Sequence, residues 1–134
     1  MSQKIINVSG RRKKAVARAR VKSGNGKVLV NNVPLDAISP EINQLRLNEP
    51  LIIAGSVSGQ VDIDVNVYGG GIASQTEAAR LVIAKSLVAF TRDDKLRKKY
   101  LDYDRHMLVA DVRRKEVAKP NDSKARAKRQ KSYR

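Results

Sequence analysis

Residues 61–91 read VDIDVNVYGGGIASQTEAARLVIAKSLVAFT, and a change of period inside this stretch decides the fold. From Val61 to Tyr68 the pattern alternates. Val61, Ile63, Val65 and Val67 face one way, while Asp62, Asp64, Asn66 and Tyr68 face the other, as on a half-buried strand. Gly69-Gly70-Gly71 breaks that strand. From Ser74 to about Thr91 the period becomes helical, with Ala78, Ala79, Val82, Ile83, Ser86, Leu87 and Phe90 forming a wide apolar or small stripe. Ser74 followed by Glu77 has the spacing of a capping box, and the small alanines let the helix pack close to a sheet.

Working outward, Ala15 to Lys22 alternates as well. Ala15, Ala17, Ala19 and Val21 share one face, and Val16, Arg18, Arg20 and Lys22 share the other. Same-face residues sit about 6.6–6.8 Å apart, near the spacing of successive nucleic-acid phosphates, so this strand offers a basic rail over an apolar underside. Before it, Lys4–Ser9 predicts a first strand, and Gly10 introduces four consecutive cations, Arg11, Arg12, Lys13 and Lys14. After it, Ser23-Gly24-Asn25-Gly26 carries the Asn-Gly signal of a tight hairpin, with Lys27–Asn31 as the return strand. Ser39 as N-cap, Pro40 at the first helical position and Glu41 near the dipole predict a helix that stops before Pro50. Leu51–Ala54 is apolar and open to either state. Asp93–Leu101 reads as a basic helix with Leu96 and Tyr100 on its inner face, and Leu108–Val112 as a last strand.

The chain has 134 residues and a net charge of +15, distributed unevenly. Residues 1–40 hold nine basic and one acidic side chain, residues 41–90 three and five, and residues 91–134 sixteen and seven. A scaffold near neutrality between two cationic ends points to a polyanionic partner, because each phosphate neutralised releases condensed counterions. With no Cys and one His, disulfide frameworks, zinc ribbons and thiol catalysis are excluded, and a Ser-His-Asp triad is unsupported. No apolar run approaches the ~18 residues of a membrane span, and Met1–Ser9 lacks a secretory signal pattern. The expectation is a soluble protein of a reducing compartment, without a cofactor, a metal or a membrane partner. From Arg113 to Arg134 ten basic and two acidic residues surround Pro120 without apolar periodicity, so this segment is a tail after a globular unit of residues 1–112. Residues 121–134, fully extended, reach about 46 Å at ~3.3 Å each, far enough to thread a large ribonucleoprotein.

Two constellations have competing readings. Asp62 and Asp64 form the one close carboxylate pair on a regular element, usable as a Mg²⁺ or acid/base site. An adjacent basic strand would instead pair them structurally, and that reading is preferred. Gly69-Gly70-Gly71 before a helix invites an anion, yet no Gly-Lys-Ser/Thr follows, and the run serves equally to let another backbone approach. The five aromatics, Tyr68, Phe90, Tyr100, Tyr103 and Tyr133, do not form a paired stacking platform. Recognition through phosphate, 2′-hydroxyl and shape follows, with Tyr133 in the tail as the exception. His106 is assigned no chemistry.

Gly10-Arg11-Arg12-Lys13-Lys14-Ala15-Val16-Ala17-Arg18 resembles the opening of the ninth protein of the small ribosomal subunit, the ribosomal protein S-nine family. The run from Gly69 through Gln75, Ala78 and Arg80 to Ala84-Lys85-Ser86-Leu87 is similar to that family's signature, and Lys124 to Arg134 to its basic tail. The ending Ser132-Tyr133-Arg134, where the bacterial pattern is Ser-Lys-Arg, favours an archaeal-type member. The resemblance implies an α/β fold, an α+β two-layer sandwich like the second domain of the fifth small-subunit ribosomal protein. It also implies a left-handed β-α-β crossover and an extended basic C-terminal tail. It implies a non-enzymatic structural constituent of the cytoplasmic ribosome, bound to small-subunit rRNA in the head and to neighbouring small-subunit ribosomal proteins. The tail would reach the peptidyl-site tRNA anticodon stem-loop.

On this reading rRNA is held by Arg11, Arg12, Lys13, Lys14, Arg18, Arg20 and Lys22, by Gly69, Gly70, Gly71, Gln75 and Arg80, by Arg113, Arg114 and Lys115, and by Lys124, Arg126, Lys128 and Arg129. The tRNA contacts fall on Lys131, Ser132, Tyr133 and Arg134. Two rivals stay open: a basic protein subunit of an RNA-processing ribonucleoprotein, and a Mg²⁺- or nucleotide-dependent enzyme using Asp62, Asp64 and the glycine run.

Overall fold

In the computed structural model, which describes residues 3–122, 124–130 and 132–133, five strands form one mixed sheet in the order β1-β2-β5-β3-β4. The strands are β1 (Ile5–Arg12), β2 (Ala15–Ser23), β3 (Val28–Val30), β4 (Val33–Pro34) and β5 (Val61–Tyr68). Three helices accompany them: α1 (Glu41–Ala54), α2 (Ile72–Thr91) and α3 (Asp94–Tyr103). The fold is α+β. Both alternating strands behave as their sequences require. Ala15, Ala17, Ala19 and Val21 of β2 and Val61, Ile63, Val65 and Val67 of β5 are buried, and α2 lies across them with Ala78, Ala79, Val82, Ile83 and Leu87. Arg18, Arg20 and Lys22 and, beside them, Asp64, Asn66 and Tyr68 stand exposed on the uncovered face.

β2 does not form a tight hairpin with β3. β5 inserts between them, antiparallel to β2 (Ala19 opposite Val65) and parallel to β3 (Val30 opposite Val65). The Ser23–Gly26 turn instead passes over the start of β5. There the Asp62 carboxylate accepts the backbone N–H groups of Asn25 (2.9 Å) and Lys27 (3.0 Å). β5 carries the bulkier apolar alternation, Val61, Ile63, Val65 and Val67 against the alanines of β2, and flanking it with a strand on both edges buries it more fully than a place at the sheet margin.

β1 runs past Gly10 to Arg12, because residues 5–12 keep an unbroken antiparallel register with β2. The N-cap of α1 is Pro40 rather than Ser39, whose side chain makes no capping bond; Pro40 oxygen accepts from Asn43 N. α2 begins at Ile72 with Gly71 as its N-cap, so Ser74 is already the third helical residue and no Ser74–Glu77 box forms; Glu77 is held by Arg12 instead. Leu108–Val112 forms no strand. Met107 and Leu108 bury against the core, after which Asp111 is drawn to Arg12 and Val112 projects into solvent.

α1 continues through Pro50 to Ala54. A proline inside a helix costs about 3 kcal/mol. Here Leu47 and Pro50 are both buried, and the Tyr100 hydroxyl of α3 donates to Pro50 oxygen at 2.7 Å. Interior packing offsets the lost backbone bond. Burial pushes the Tyr100 hydroxyl's pKa up, so it remains a donor across the accessible pH range. Tyr100→Phe is expected to lose about 1 kcal/mol, the net worth of one hydrogen bond, read as a lower denaturant midpoint with unchanged slope.

Candidate nucleic-acid interface

The turn between β1 and β2 carries Lys13 and Lys14, and the loop between β5 and α2 carries the three glycines. They meet because two glycines leave room. Gly69 (φ +79) and Gly70 (φ +62) adopt left-handed backbone, and a Cβ on Gly69 would stand 2.5 Å from Lys14 oxygen. On Gly70 a Cβ would stand 3.1 Å from Ala15 N. Gln75 locks the arrangement by donating Nε2–H to Gly69 oxygen at 3.0 Å. The glycine run thus admits another backbone at its first two positions, while Gly71 faces open space.

The result is a cleft of about 600 Å³ lined by Lys13, Lys14, Gly70, Gly71, Ser74, Arg113, Arg114 and Lys115. Five cations and the first turn of a 20-residue helix converge there, and no carboxylate lines it. Unsatisfied N–H groups and the positive dipole end of α2 add to the side-chain charge. Such a cleft attracts phosphate. Among the described residues, Lys13, Lys14, Arg114 and Lys115 form no ion pair with a carboxylate. Ser74 was read from sequence only as a cap; its place three residues after the glycine run is the signal that puts its hydroxyl at this mouth.

Two expected RNA contacts are engaged elsewhere. Arg12 points to the core side of β1, its side chain 14 % exposed, with Nε 2.6 Å from Glu77 Oε2. Its Nη1 lies 3.0 Å from Asp111 Oδ2, aligned as an ion pair rather than a hydrogen bond. Arg80 of α2, 13 % exposed, donates Nε–H to Glu49 of α1 at 2.8 Å and Nη1–H to Asp104 at 3.1 Å. These arginines tie α1, α2 and the end of α3 to the sheet. Arg113 also grips Asp111, at 2.7 Å, so Asp111 pins the root of the tail beside the cleft. The pairings of Glu49 and Asp104 with Arg80 and of Glu77 with Arg12 have no sequence signal because the partners lie 24 or more residues apart; Asp111, two residues from Arg113, is within local reach but carries no periodic pattern to mark it.

Among the described residues the other expected contacts are exposed, apart from the half-buried Gln75. Arg18, Arg20 and Lys22 form the rail on the open sheet face, with Arg11 on the same face of β1. Arg20 lies opposite Asp64 and Lys22 opposite Asp62 in register, but neither pair closes to an ion pair, and Asp62 is satisfied instead by the backbone N–H groups of Asn25 and Lys27. The Arg18 guanidinium sits 5.8 Å from the centre of the Tyr68 ring. Among the described residues no group of three His, Cys, Asp or Glu is placed to hold a metal ion. In the tail, Lys124, Arg126, Lys128, Arg129, Ser132 and Tyr133 are exposed, and Arg126 reaches Glu116 at 2.9 Å. Lys131 and Arg134 lie outside the described residues.

Asp111 is held well below the usual carboxylate range by the Arg113 guanidinium and backbone N–H, helped by Arg12. Asp62 is lowered by the N–H groups of Lys27 and Asn25. At Asp104 burial acts upward but is outweighed by the His106 N–H and Arg80. A carboxylate depressed in the folded state contributes stability above its unfolded pKa of about 3.9 and loses it as pH falls further. Stability should therefore be flat from about pH 5 to 7 and decline below about pH 4. Asp111→Asn should make that decline shallower in a series of denaturant midpoints; an unaltered slope would show that Asp111 is not held this way.

The sequence pattern described as Ribosomal protein S9/S16 matches residues 10–134. Two relatives, from two strains of Methanococcus maripaludis, are each named small ribosomal subunit protein uS9. Each is 45 % identical over 133 residues, covering 98 % of this chain and 99 % of the relative. With the match spanning β1 to the tail, the chain belongs to the Ribosomal protein S9/S16 family.

Proposed function

We propose that the protein is a structural, non-enzymatic constituent of the small ribosomal subunit in the cytoplasm, where it binds rRNA and contacts neighbouring ribosomal proteins. The observation that carries this reading is the carboxylate-free cleft of five cations at the α2 N-terminus. Lys13, Lys14, Arg114 and Lys115 neutralise rRNA phosphates there, with Gly71 and Ser74 giving close backbone and hydroxyl approach. Arg11, Arg18, Arg20 and Lys22 extend the positive surface along the open sheet face. Arg12, Arg80 and Gln75 act as braces that hold this geometry. The mechanism is charge neutralisation and placement.

Residues 113–134 form the extended tail, with Lys124, Arg126, Lys128 and Arg129 following rRNA. Lys131, Ser132, Tyr133 and Arg134 meet the backbone of the peptidyl-site tRNA anticodon stem-loop. The family also implies the second-domain fold of the fifth small-subunit protein with its left-handed crossover; a parallel β3–β5 pair joined through a segment containing α1 supports that reading. Placement in the head of the subunit comes from the same resemblance.

Removing Tyr133 and Arg134 should speed dissociation of peptidyl-site tRNA from reassembled subunits while leaving the protein's own incorporation intact. Unchanged dissociation would defeat the tRNA contact and leave the rRNA role standing. Co-purification with a precursor-processing RNA instead of small-subunit particles would defeat both.

A further inference from the structure

Tyr68 is the last residue of β5, and it stands 52 % exposed on the open face of the sheet. A ring left in water forgoes the burial that aromatic side chains normally supply. The Arg18 guanidinium lies over it, 5.8 Å from the ring centre, a pairing that orients the ring. The register sets Tyr68 opposite Val16, Val16 opposite Arg11, and Arg18 between Asn66 on one side and Ser9 on the other. This half of the open face therefore holds two cations, Arg11 and Arg18, and no carboxylate. Among the described residues neither cation is in an ion pair. Asp64 and Asp62 lie beyond Asn66, toward the far end of β5.

Position names the ligand. Tyr68 runs directly into Gly69-Gly70-Gly71, and Arg11 leads through Arg12 to Lys13, so this half-face is continuous with the phosphate cleft. Beyond the ring, Arg18, Ser9 and Asn66 line a groove of about 460 Å³ across the sheet. We propose that Tyr68 stacks an unpaired RNA base, with Arg18 holding the ring and the hydroxyl of Ser9 and amide of Asn66 facing the base edge. Both side chains donate and accept hydrogen bonds, so they suit an edge that carries both kinds of group. An aromatic face accepts any base, and it selects loops and bulges over duplex because only there is a base free to stack. A protein neighbour suits the half-face less, since the cores of protein interfaces are depleted of charge. The proposal rests on the cleft's being a phosphate site, and it adds base contact to a surface otherwise fitted to the RNA backbone.

The test measures binding of the full chain to small-subunit rRNA across a salt series, for Tyr68→Val and Tyr68→Phe. Valine keeps the strand preference and removes the π face, whereas phenylalanine keeps the face and removes the hydroxyl. Tyr68→Val should weaken binding about tenfold, within the range for one stacked base. Its log–log salt slope should match wild type, because a neutral ring releases no counterions. Tyr68→Phe should bind as wild type does. Ultraviolet crosslinking of the wild-type complex, followed by nuclease and trypsin digestion and mass spectrometry, gives an independent readout. Residues 47–80 form one tryptic fragment in which Tyr68 is the only aromatic, and a nucleotide adduct should map to it. Wild-type affinity in Tyr68→Val, equal losses in the two variants, or an irradiated complex without an adduct at Tyr68 overturns the inference. Each of these spares the phosphate reading, which fails instead if replacing Lys13, Lys14, Arg114 and Lys115 by glutamine leaves affinity and salt slope unchanged.

Discussion

Gly69→Ala is expected to destabilise the protein by about 2–4 kcal/mol, far more than a typical surface substitution. Left-handed backbone with a Cβ costs about 1–2 kcal/mol by itself. Here the new methyl would also meet Lys14 oxygen at 2.5 Å, a backbone atom that cannot swing aside. Relief requires either the β1–β2 turn or the β5–α2 loop to move. Either shift separates Lys13 and Lys14 from the helix N-terminus, so RNA affinity should fall along with the denaturant midpoint. Gly71→Ala is the control. With nothing within 4 Å and φ −104, it should cost about 1 kcal/mol or less. Equal effects at the two positions would show that close approach is not what the glycines provide.

Replacing Lys13, Lys14, Arg114 and Lys115 by glutamine should leave stability within about 0.5 kcal/mol of wild type, because all four are exposed. The effect on binding should be large. If each contacts one phosphate, the log–log salt slope for rRNA falls by about 3, and affinity near physiological salt drops on the order of a hundred- to a thousandfold. Arg113 stays in place because it holds Asp111. A variant that binds as tightly as wild type, with the same salt slope, would remove the cleft from the interface.

The faces of β2 and β5 were legible because alternation is a local property, and the buried residues are those the period assigns. What sequence could not show was which strands become neighbours. β5 joins β2 and β3 from more than 30 residues away, and nothing local in Ser23–Gly26 distinguishes a hairpin from a turn over an inserted strand. Pro50 misled for a related reason: its local penalty is real, but Tyr100 and the buried face of α1 outweigh it. Cations were the hardest to sort. Arg11 and Arg12 are identical in composition terms, yet extending the β1 alternation by one step puts Ile6, Val8, Gly10 and Arg12 on the core side. That signal was present, and ending the strand at Ser9 concealed it. Arg80 had no such signal, since its partners Glu49 and Asp104 are brought to it only by packing.

Hydroxyl-radical footprinting of small-subunit rRNA, with wild-type protein and with the four-site glutamine variant side by side, is the most direct test of phosphate capture by the cleft. The account predicts a discrete stretch of protected sugar–phosphate backbone that disappears in the variant at the same protein concentration. Equal protection by both proteins, or no protection by the wild type at moderate ionic strength, would contradict it.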